Sequence, residues 1–379
     1  MKSSSSPSLP FFSWKNLLLV GTLTLVWLKL FDSVSRHIAS KWAEFFSYSE
    51  GYRLPASRIE FIPFTLDTLR QDRAETIIIF PGDSTSGGLL YHHSQAIPAY
   101  LNTALKPSGR ETHTYNLALS GAHLSEQYLL TKETIAFADV VIFPIHYSFF
   151  SGRGENGAFY FRPDIVDFIT QANQNDLALL QLSPRPLLAS LTGELLGKLW
   201  YTYKVHRLLP HLVVGKPTKV YIRDWIMSRL DSPPATPTAM TIDPTISFSQ
   251  QTPKVQEEIL NQNKLLWQSI DRIDSGNINL QYLHKIGQLS QKTPVRFLAY
   301  IVPLDFPTLE KNTIINREVY DQIIAASLEV LSLYDIPVVD FNVGNPARLT
   351  PDDFYNPDHL LPAGNQKVAA VLAKIISQP

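Results

Sequence analysis

Cysteine is absent from this 379-residue sequence, and neither sign of charge is in excess. Without cysteine the chain has no disulfides, no thiolate metal ligands and no cysteine nucleophile. Lysine and arginine number 33 and aspartate and glutamate 34, so the formal net charge of -1 gives no reason to expect a nucleic-acid partner. Hydrophobic residues make up 45% and charged residues 18%, which is typical of a globular protein with a large core.

One long apolar run lies near the N-terminus. Residues 16–28 carry no charge, and the run extends to Phe31 because the Lys29 ammonium can reach the membrane interface. A spanning helix needs about 17 to 25 such residues, and no small-x-small cleavage pattern follows directly. We therefore expect residues 1–42 to be a tail and an uncleaved membrane anchor, with the apolar span at about 15–31. Basic residues on both sides of the run leave the orientation undefined.

Apolar segments of strand length alternate with helical patterns along the rest of the chain. Such alternation predicts a parallel sheet with helices on both faces, and hence an α/β domain over residues 43–379, built as a three-layer sandwich with a five-stranded parallel sheet. Residues 151–293 interrupt the alternation and are expected to form a helical insertion. The predicted strands are 76–80, 112–119, 138–147, 295–303 and 336–341, and the predicted helices are 94–105, 124–137, 316–334 and 363–376, with 191–209 and 255–273 inside the insertion.

Three short motifs lie where this reading places strand ends or the start of the last helix. PGDSTSGG puts Ser84 after the first strand, NLALSG puts Gly121 after the second, and FYNPDHLLPAG puts His359 just before the last helix. Because the carboxyl ends of parallel strands share one edge of a sheet, these residues are expected to lie together. A serine hydroxyl needs a nearby imidazole to take its proton, and fixed N–H groups stabilise the resulting oxyanion. The motifs therefore predict nucleophilic acyl transfer.

In their order and strand context the motifs resemble the SGNH (GDSL-like) hydrolase superfamily. The resemblance covers about residues 75–150 and 294–377. It implies that Ser84 is the nucleophile, that His359 is the base, and that the backbone N–H groups of Ser84 and Gly121 bind the oxyanion. The anchor, the insertion and the FYxxxHLxxxG ending are most similar to the membrane-anchored branch that includes the alginate O-acetyltransferases and the D-alanyl transfer protein of teichoic acid synthesis.

Two positions depart from the family pattern. The family's third block usually carries an asparagine that donates to the oxyanion, but FPIHYS places His146 there; a histidine N–H donates in its stead, or the site lacks this donor. The family's triad acid lies three residues before the histidine, and that position is Asn356. Three alternatives stay open. Asn356 orients the imidazole through its amide oxygen, Asp358 or Asp353 replaces the acid, or the chain has lost catalysis and keeps the fold for binding.

Together with the motifs, this resemblance implies two alternative functions. The first is a membrane-anchored serine esterase or O-acyltransferase that acts on an envelope or exported polysaccharide, with its domain outside the cytoplasm. The second is a catalytically impaired module that binds glycan or docks on a membrane-embedded acyltransferase. The expected partners are the membrane bilayer and an acylated polysaccharide or another acyl-ester substrate. Neither a cofactor nor a metal ion is expected.

Overall fold

A parallel sheet of six strands lies at the centre of the domain, in the order β1-β3-β2-β4-β5-β6. The computed structural model describes residues 14–45, 52–53, 62–87, 93–109, 111–119, 121–150, 200, 202, 243, 245–267, 273 and 276–378. The strands are β1 Tyr52–Arg53, β2 Thr76–Phe80, β3 Thr112–Asn116, β4 Val140–Ile145, β5 Arg296–Ile301 and β6 Val338–Asp340. The five predicted strands are therefore confirmed, and β1 adds a two-residue strand at the edge beside β3.

Helices connect the strands and cover both faces of the sheet. Asparagine side chains begin two of them: Asn277 and Asn316 each accept hydrogen bonds from two backbone N–H groups of the first helical turn. The described helices are α1 Trp14–Phe45, α2 Ile62–Gln71, α3 Ser84–Gly87, α4 Ile97–Leu105, α5 Leu124–Thr134, α6 Pro253–Trp267, α7 Ile278–Ser290, α8 Phe306–Lys311, α9 Arg317–Ser332 and α10 Pro362–Ile376. The four helices predicted outside the insertion correspond to α4, α5, α9 and α10.

Alternate side chains of the central strands point to opposite faces of the sheet and build two apolar cores. In β2, Ile77 and Ile79 face the core under α5, α7 and α9. Ile78 and Phe80 face the core under α4 and α10. Strands β4 and β5 follow the same alternation. Because both faces are covered, the strands read as continuous apolar runs, and the domain is the predicted three-layer α/β sandwich.

Helix α7 belongs to the helical layer of the sandwich. The insertion predicted at 151–293 includes this helix, but the helix packs against α5 and α9, and its buried Leu283 joins their core. The chain therefore rejoins this layer at Ile278, before the predicted end of the insertion. The helix predicted at 255–273 corresponds to α6. Most of the insertion, including most of the predicted helix at 191–209, lies outside the described residues.

Gly287 lets the ring of Tyr334 pack directly on α7, where the Tyr334 hydroxyl lies 3.1 Å from His284 Nδ1. A Cβ at Gly287 would stand 2.0 Å from Tyr334 Cδ2, so Gly287→Ala must displace the ring. We expect this change to lower the free energy of unfolding by about 1–3 kcal/mol in denaturant titrations. In a Tyr334→Ala background the same change should stabilise the helix by about 1 kcal/mol, because alanine has the higher helix propensity. Stabilisation by Gly287→Ala in the unmodified chain would contradict this packing.

Helix α1 is the candidate membrane segment. Its portion 14–37 is long and apolar enough to cross a membrane, and its apolar side chains are exposed, as for Leu18 at 71%. Beyond the apolar run, Asp32 Oδ1 accepts a hydrogen bond from the Thr202 backbone N–H at 2.7 Å, and Ser35 Oγ lies 3.1 Å from Thr202 Oγ1. The second half of α1 thus contacts the chain at residue 202. A signal sequence shares the length and composition of this helix, so the anchor stays a prediction.

Candidate active site

Ser84 begins the one-turn helix α3, four residues after the end of β2. Asp83 shapes the turn, because its Oδ1 accepts hydrogen bonds from the Thr85 backbone N–H at 3.0 Å and from Thr85 Oγ1 at 2.5 Å. A Cβ at Gly82 would crowd Ser86 Oγ at 2.1 Å, so this close turn favours glycine. The turn leaves Ser84 half-buried, while the next residues of α3 are buried. The nucleophile candidate is therefore held by local hydrogen bonds at the carboxyl end of the sheet.

The loop after β3 runs alongside this turn. The backbone N–H of Leu117 donates to the carbonyl of Phe80 at 3.0 Å, and that of Leu119 donates to the carbonyl of Gly82 at 2.9 Å. These bonds continue the pairing of β3 with β2 beyond the ends of both strands. Gly121 follows with φ of 72°, in the left-handed region that glycine adopts without strain. The sheet thus carries the second motif alongside the first, and the role of Gly121 as an oxyanion donor stays a prediction.

His359 lies in a small hairpin, at a place where the sequence predicts neither a strand nor a helix. Strands β7 Phe354–Asn356 and β8 His359–Leu360 pair antiparallel across a two-residue connection. The Asn356 side chain closes the turn, since its Oδ1 accepts hydrogen bonds from the backbone N–H groups of Asp358 at 3.1 Å and His359 at 2.7 Å. The signal available in the sequence was the run Asn-Pro-Asp between apolar residues, because these residue types mark tight turns.

The hairpin brings three side chains into a chain of contacts. His359 Nε2 lies 2.9 Å from Ser84 Oγ, and His359 Nδ1 lies 2.9 Å from Asp358 Oδ1 and 3.1 Å from Asn356 Oδ1. Both neighbours of Nδ1 are acceptors, so Nδ1 carries the proton and Nε2 presents its lone pair to the serine hydroxyl. Among the open alternatives, Asp358 is thus the carboxylate in contact with the imidazole. Asn356 adds a second acceptor and holds the turn.

Asp353, the other candidate for the acid, is engaged elsewhere. Its carboxylate oxygens lie 2.7 and 2.8 Å from Lys367 Nζ, and Oδ2 accepts a hydrogen bond from the Thr350 backbone N–H at 2.8 Å. These contacts join the segment before the hairpin to α10. Over the described ranges, no three histidine, aspartate or glutamate side chains form a group that could hold a metal ion.

The electrostatics of the site suit an ionised acid beside an imidazole. Burial raises the pKa of Asp358, but the charge and hydrogen bond of His359, together with the charge of His146, lower it below its ordinary value. Burial lowers the pKa of His359, but the charge and hydrogen bond of Asp358, together with the charge of Asp83, raise it above its ordinary value. Asp358 is therefore ionised at neutral pH and stabilises the imidazolium that forms when His359 accepts a proton.

His146 contacts the acid from the other side. Its Nε2 lies 3.7 Å from Asp358 Oδ2, and its Nδ1 contacts Ser148 Oγ. The ring is buried edge-on between Phe149 and Trp267, with centroid distances of 5.7 and 5.9 Å. The contact with the acid was missed from the sequence, and the predicted role of His146 as an oxyanion donor stays a prediction. Trp267 ends α6, so a residue of the predicted insertion reaches the site.

No protein-family model and no curated protein matches the sequence. Among solved structures the chain is similar to a GDSL-like lipase from Bacteroides thetaiotaomicron VPI-5482, at 10% identity and a TM-score of 0.36, over 85% of this chain and 99% of that one. It is similar to a lipase/acylhydrolase from Enterococcus faecalis, at 10% identity and a TM-score of 0.35, over 79% and 95%. It is also similar to a variant of an acetyl-xylooligosaccharide esterase from Geobacillus Stearmophilus, at 11% identity and a TM-score of 0.35, over 81% and 97%. The solved structures to which the chain is similar thus include proteins described as GDSL-like.

Proposed function

We propose that the chain is a membrane-anchored serine esterase or O-acyltransferase of the SGNH superfamily that acts on an envelope or exported polysaccharide. The observation that carries the proposal is the contact chain from Ser84 Oγ through the His359 imidazole to the Asp358 carboxylate, with both distances 2.9 Å. The apolar helix α1 supports the anchor, and the resemblance of the C-terminal motif to the anchored branch supports a polysaccharide.

The first half of the reaction acylates the serine. Ser84 Oγ attacks the carbonyl carbon of an acyl ester while its proton passes to His359 Nε2. The imidazolium formed in this step is stabilised by Asp358 through Nδ1. The carbonyl oxygen becomes an oxyanion, for which the backbone N–H groups of Ser84 and Gly121 are the proposed donors. When the intermediate collapses, the ester C–O bond breaks, and the leaving oxygen takes the proton from His359 Nε2.

The second half releases the acyl group from Ser84. A water molecule or a sugar hydroxyl gives its proton to His359 Nε2 and attacks the acyl carbon, and the proton then returns to Ser84 Oγ as the C–O bond to serine breaks. Water as acceptor makes the protein an esterase, and a sugar hydroxyl makes it an O-acyltransferase. The chemistry at His359 is the same for both acceptors.

The alternative function, a module without catalysis, was motivated by Asn356 at the position of the family's acid. Asp358 supplies a carboxylate to His359 Nδ1 at 2.9 Å, so the amide at position 356 does not deprive the imidazole of an acid. The distance therefore favours the enzyme over the binding module.

Covalent labelling of the nucleophile tests the proposed function. The full-length chain, purified in detergent, is incubated with a fluorophosphonate probe and with p-nitrophenyl acetate, and intact mass is recorded. We expect one phosphonyl adduct per chain and hydrolysis of the ester, because a serine activated by an imidazole attacks both reagents. Ser84→Ala should abolish the adduct and the hydrolysis.

The matched control is Ser86→Ala, which removes a second hydroxyl from the same helix α3. Ser86 Oγ donates to the carbonyl of Asp83 and is fully buried, so it is not available to a probe. Labelling of Ser86→Ala should match that of the unmodified chain. A folded chain that takes no probe, or a Ser84→Ala variant that is still labelled, would overturn the proposed function.

A further inference from the structure

The Asp358 carboxylate lies between two imidazoles. Its Oδ1 contacts His359 Nδ1 at 2.9 Å, and its Oδ2 faces His146 Nε2 at 3.7 Å. The second distance is longer than a hydrogen bond and is that of an electrostatic contact between the carboxylate and the edge of the ring. His146 comes from the end of β4 and Asp358 from the hairpin, so the carboxylate bridges two separate parts of the fold.

Ser148 and Asp358 contact the two ring nitrogens of His146 from opposite sides. The Ser148 hydroxyl contacts His146 Nδ1, and a hydroxyl can donate there while a carboxylate at Nε2 can only accept. The arrangement that satisfies both sides has the proton on Nε2, directed at Asp358 Oδ2. His146 Nε2 is buried and has no hydrogen-bond partner among the residues that the structure describes, and Asp358 Oδ2 is the acceptor that faces it at 3.7 Å.

We propose that His146 is a positioning residue for the acid: its Nε2–H holds Oδ2 of Asp358 and so keeps Oδ1 on His359 Nδ1. The proposal rests on the proposed function for its catalytic meaning, but the contact is a property of the folded chain. The proposal assigns a role to His146, which stands where the family usually has an asparagine: it holds the acid and does not donate to the oxyanion. A carboxylate held at both oxygens cannot rotate away from the base when charge moves during catalysis.

The surroundings of His146 keep its ring neutral. Burial lowers the pKa of His146, and the charge of His359 lowers it further, whereas Asp83 and Asp358 act in the opposite direction. Burial also lowers the pKa of His123, to about 4, with the charge of His146 as a further cause. Neutral His146 donates one hydrogen bond without adding a positive charge beside His359, so the acid is oriented and the base keeps its affinity for the proton.

The titration of His359 tests the proposal without any substrate. The full-length chain in detergent, labelled with ¹⁵N-histidine, is titrated by long-range ¹H–¹⁵N NMR, and the His359 signal is identified by its loss in His359→Gln. In His146→Leu we expect the pKa of His359 to fall by about one unit, because the carboxylate that raises it is released. His146→Gln should restore the pKa, since the glutamine amide can occupy the place of Nε2.

The shorter amide of His146→Asn serves as the matched control. It is polar like glutamine but does not reach Asp358, so the pKa of His359 should fall as in the leucine variant. The comparison of His146→Gln with His146→Asn still tests the proposal if His146→Leu fails to fold. An unchanged pKa of His359 in His146→Leu, or in His146→Asn when the leucine variant is unfolded, would overturn the proposal. That result differs from failure of the proposed function, which is a Ser84 that takes no probe.

Discussion

Asp358→Asn is expected to lower kcat for an acyl ester by about 10³–10⁴-fold while Ser84 remains in place. The reason lies in the tautomer of His359. An asparagine at position 358 can turn its NH₂ toward Nδ1 in competition with Asn356 Oδ1, which favours the tautomer with the proton on Nε2. An imidazole in that state has no lone pair for the serine hydroxyl. The measurement is steady-state hydrolysis of p-nitrophenyl acetate by the full-length variant, with KM expected to change little.

The matched control is Asp353→Asn, the same substitution at the other candidate acid. Asp353 pairs with Lys367 at 2.7 Å, so its loss should lower thermal stability and leave kcat within a few-fold of the unmodified chain. Equal losses of kcat in Asp358→Asn and Asp353→Asn would show that the two carboxylates act only through folding. A large loss confined to Asp353→Asn would identify Asp353 as the acid, in spite of its pairing with Lys367 of α10.

The sheet and the meeting of Ser84 with His359 could be predicted from the sequence. Both follow from short-range information: apolar runs separated by helical patterns predict a parallel sheet, and the ends of parallel strands meet at one edge. The 2.9 Å contact between Ser84 and His359 joins residues 275 positions apart, yet it requires only that each motif follow its strand or precede its helix. The packing of helix α7 could not be predicted in this way. A helical pattern predicts that a helix forms, but it does not predict the layer of the fold in which the helix packs.

The partner of the imidazole could not be predicted from spacing. Which side chain meets His359 Nδ1 depends on the hairpin, in which Asn356 pairs with His359 and its side chain binds the backbone of the turn. That turn directs Asp358 inward, although a residue adjacent to a histidine has no fixed direction in a sequence motif. The contact of His146 with Asp358 depends on packing between β4 and the hairpin, and no local pattern encodes such a contact.

His359→Ala should remove nearly all acyl transfer, with a loss in kcat of about 10⁴–10⁶-fold, because Ser84 then has no base. The more informative variant combines this change with Asp358→Asn. If Asp358 acts only through the imidazole, the double variant is no slower than His359→Ala alone, so the two losses do not multiply. Kinetics of the four proteins of this cycle, with probe labelling to verify that Ser84 is accessible, provide the measurement.

The cycle distinguishes a triad, in which Asp358 acts through His359, from a site in which the carboxylate and the imidazole contribute to kcat independently. The double variant could instead have a kcat below that of His359→Ala by the same factor by which Asp358→Asn lowers kcat in the unmodified chain. The carboxylate would then stabilise the transition state without acting through His359. The geometry argues against such a route, since Asp358 Oδ1 lies 2.9 Å from His359 Nδ1 and Ser84 Oγ contacts the opposite nitrogen of the ring. The imidazole thus stands between the acid and the nucleophile, and what Asp358 contributes to catalysis must vanish with the ring that transmits it.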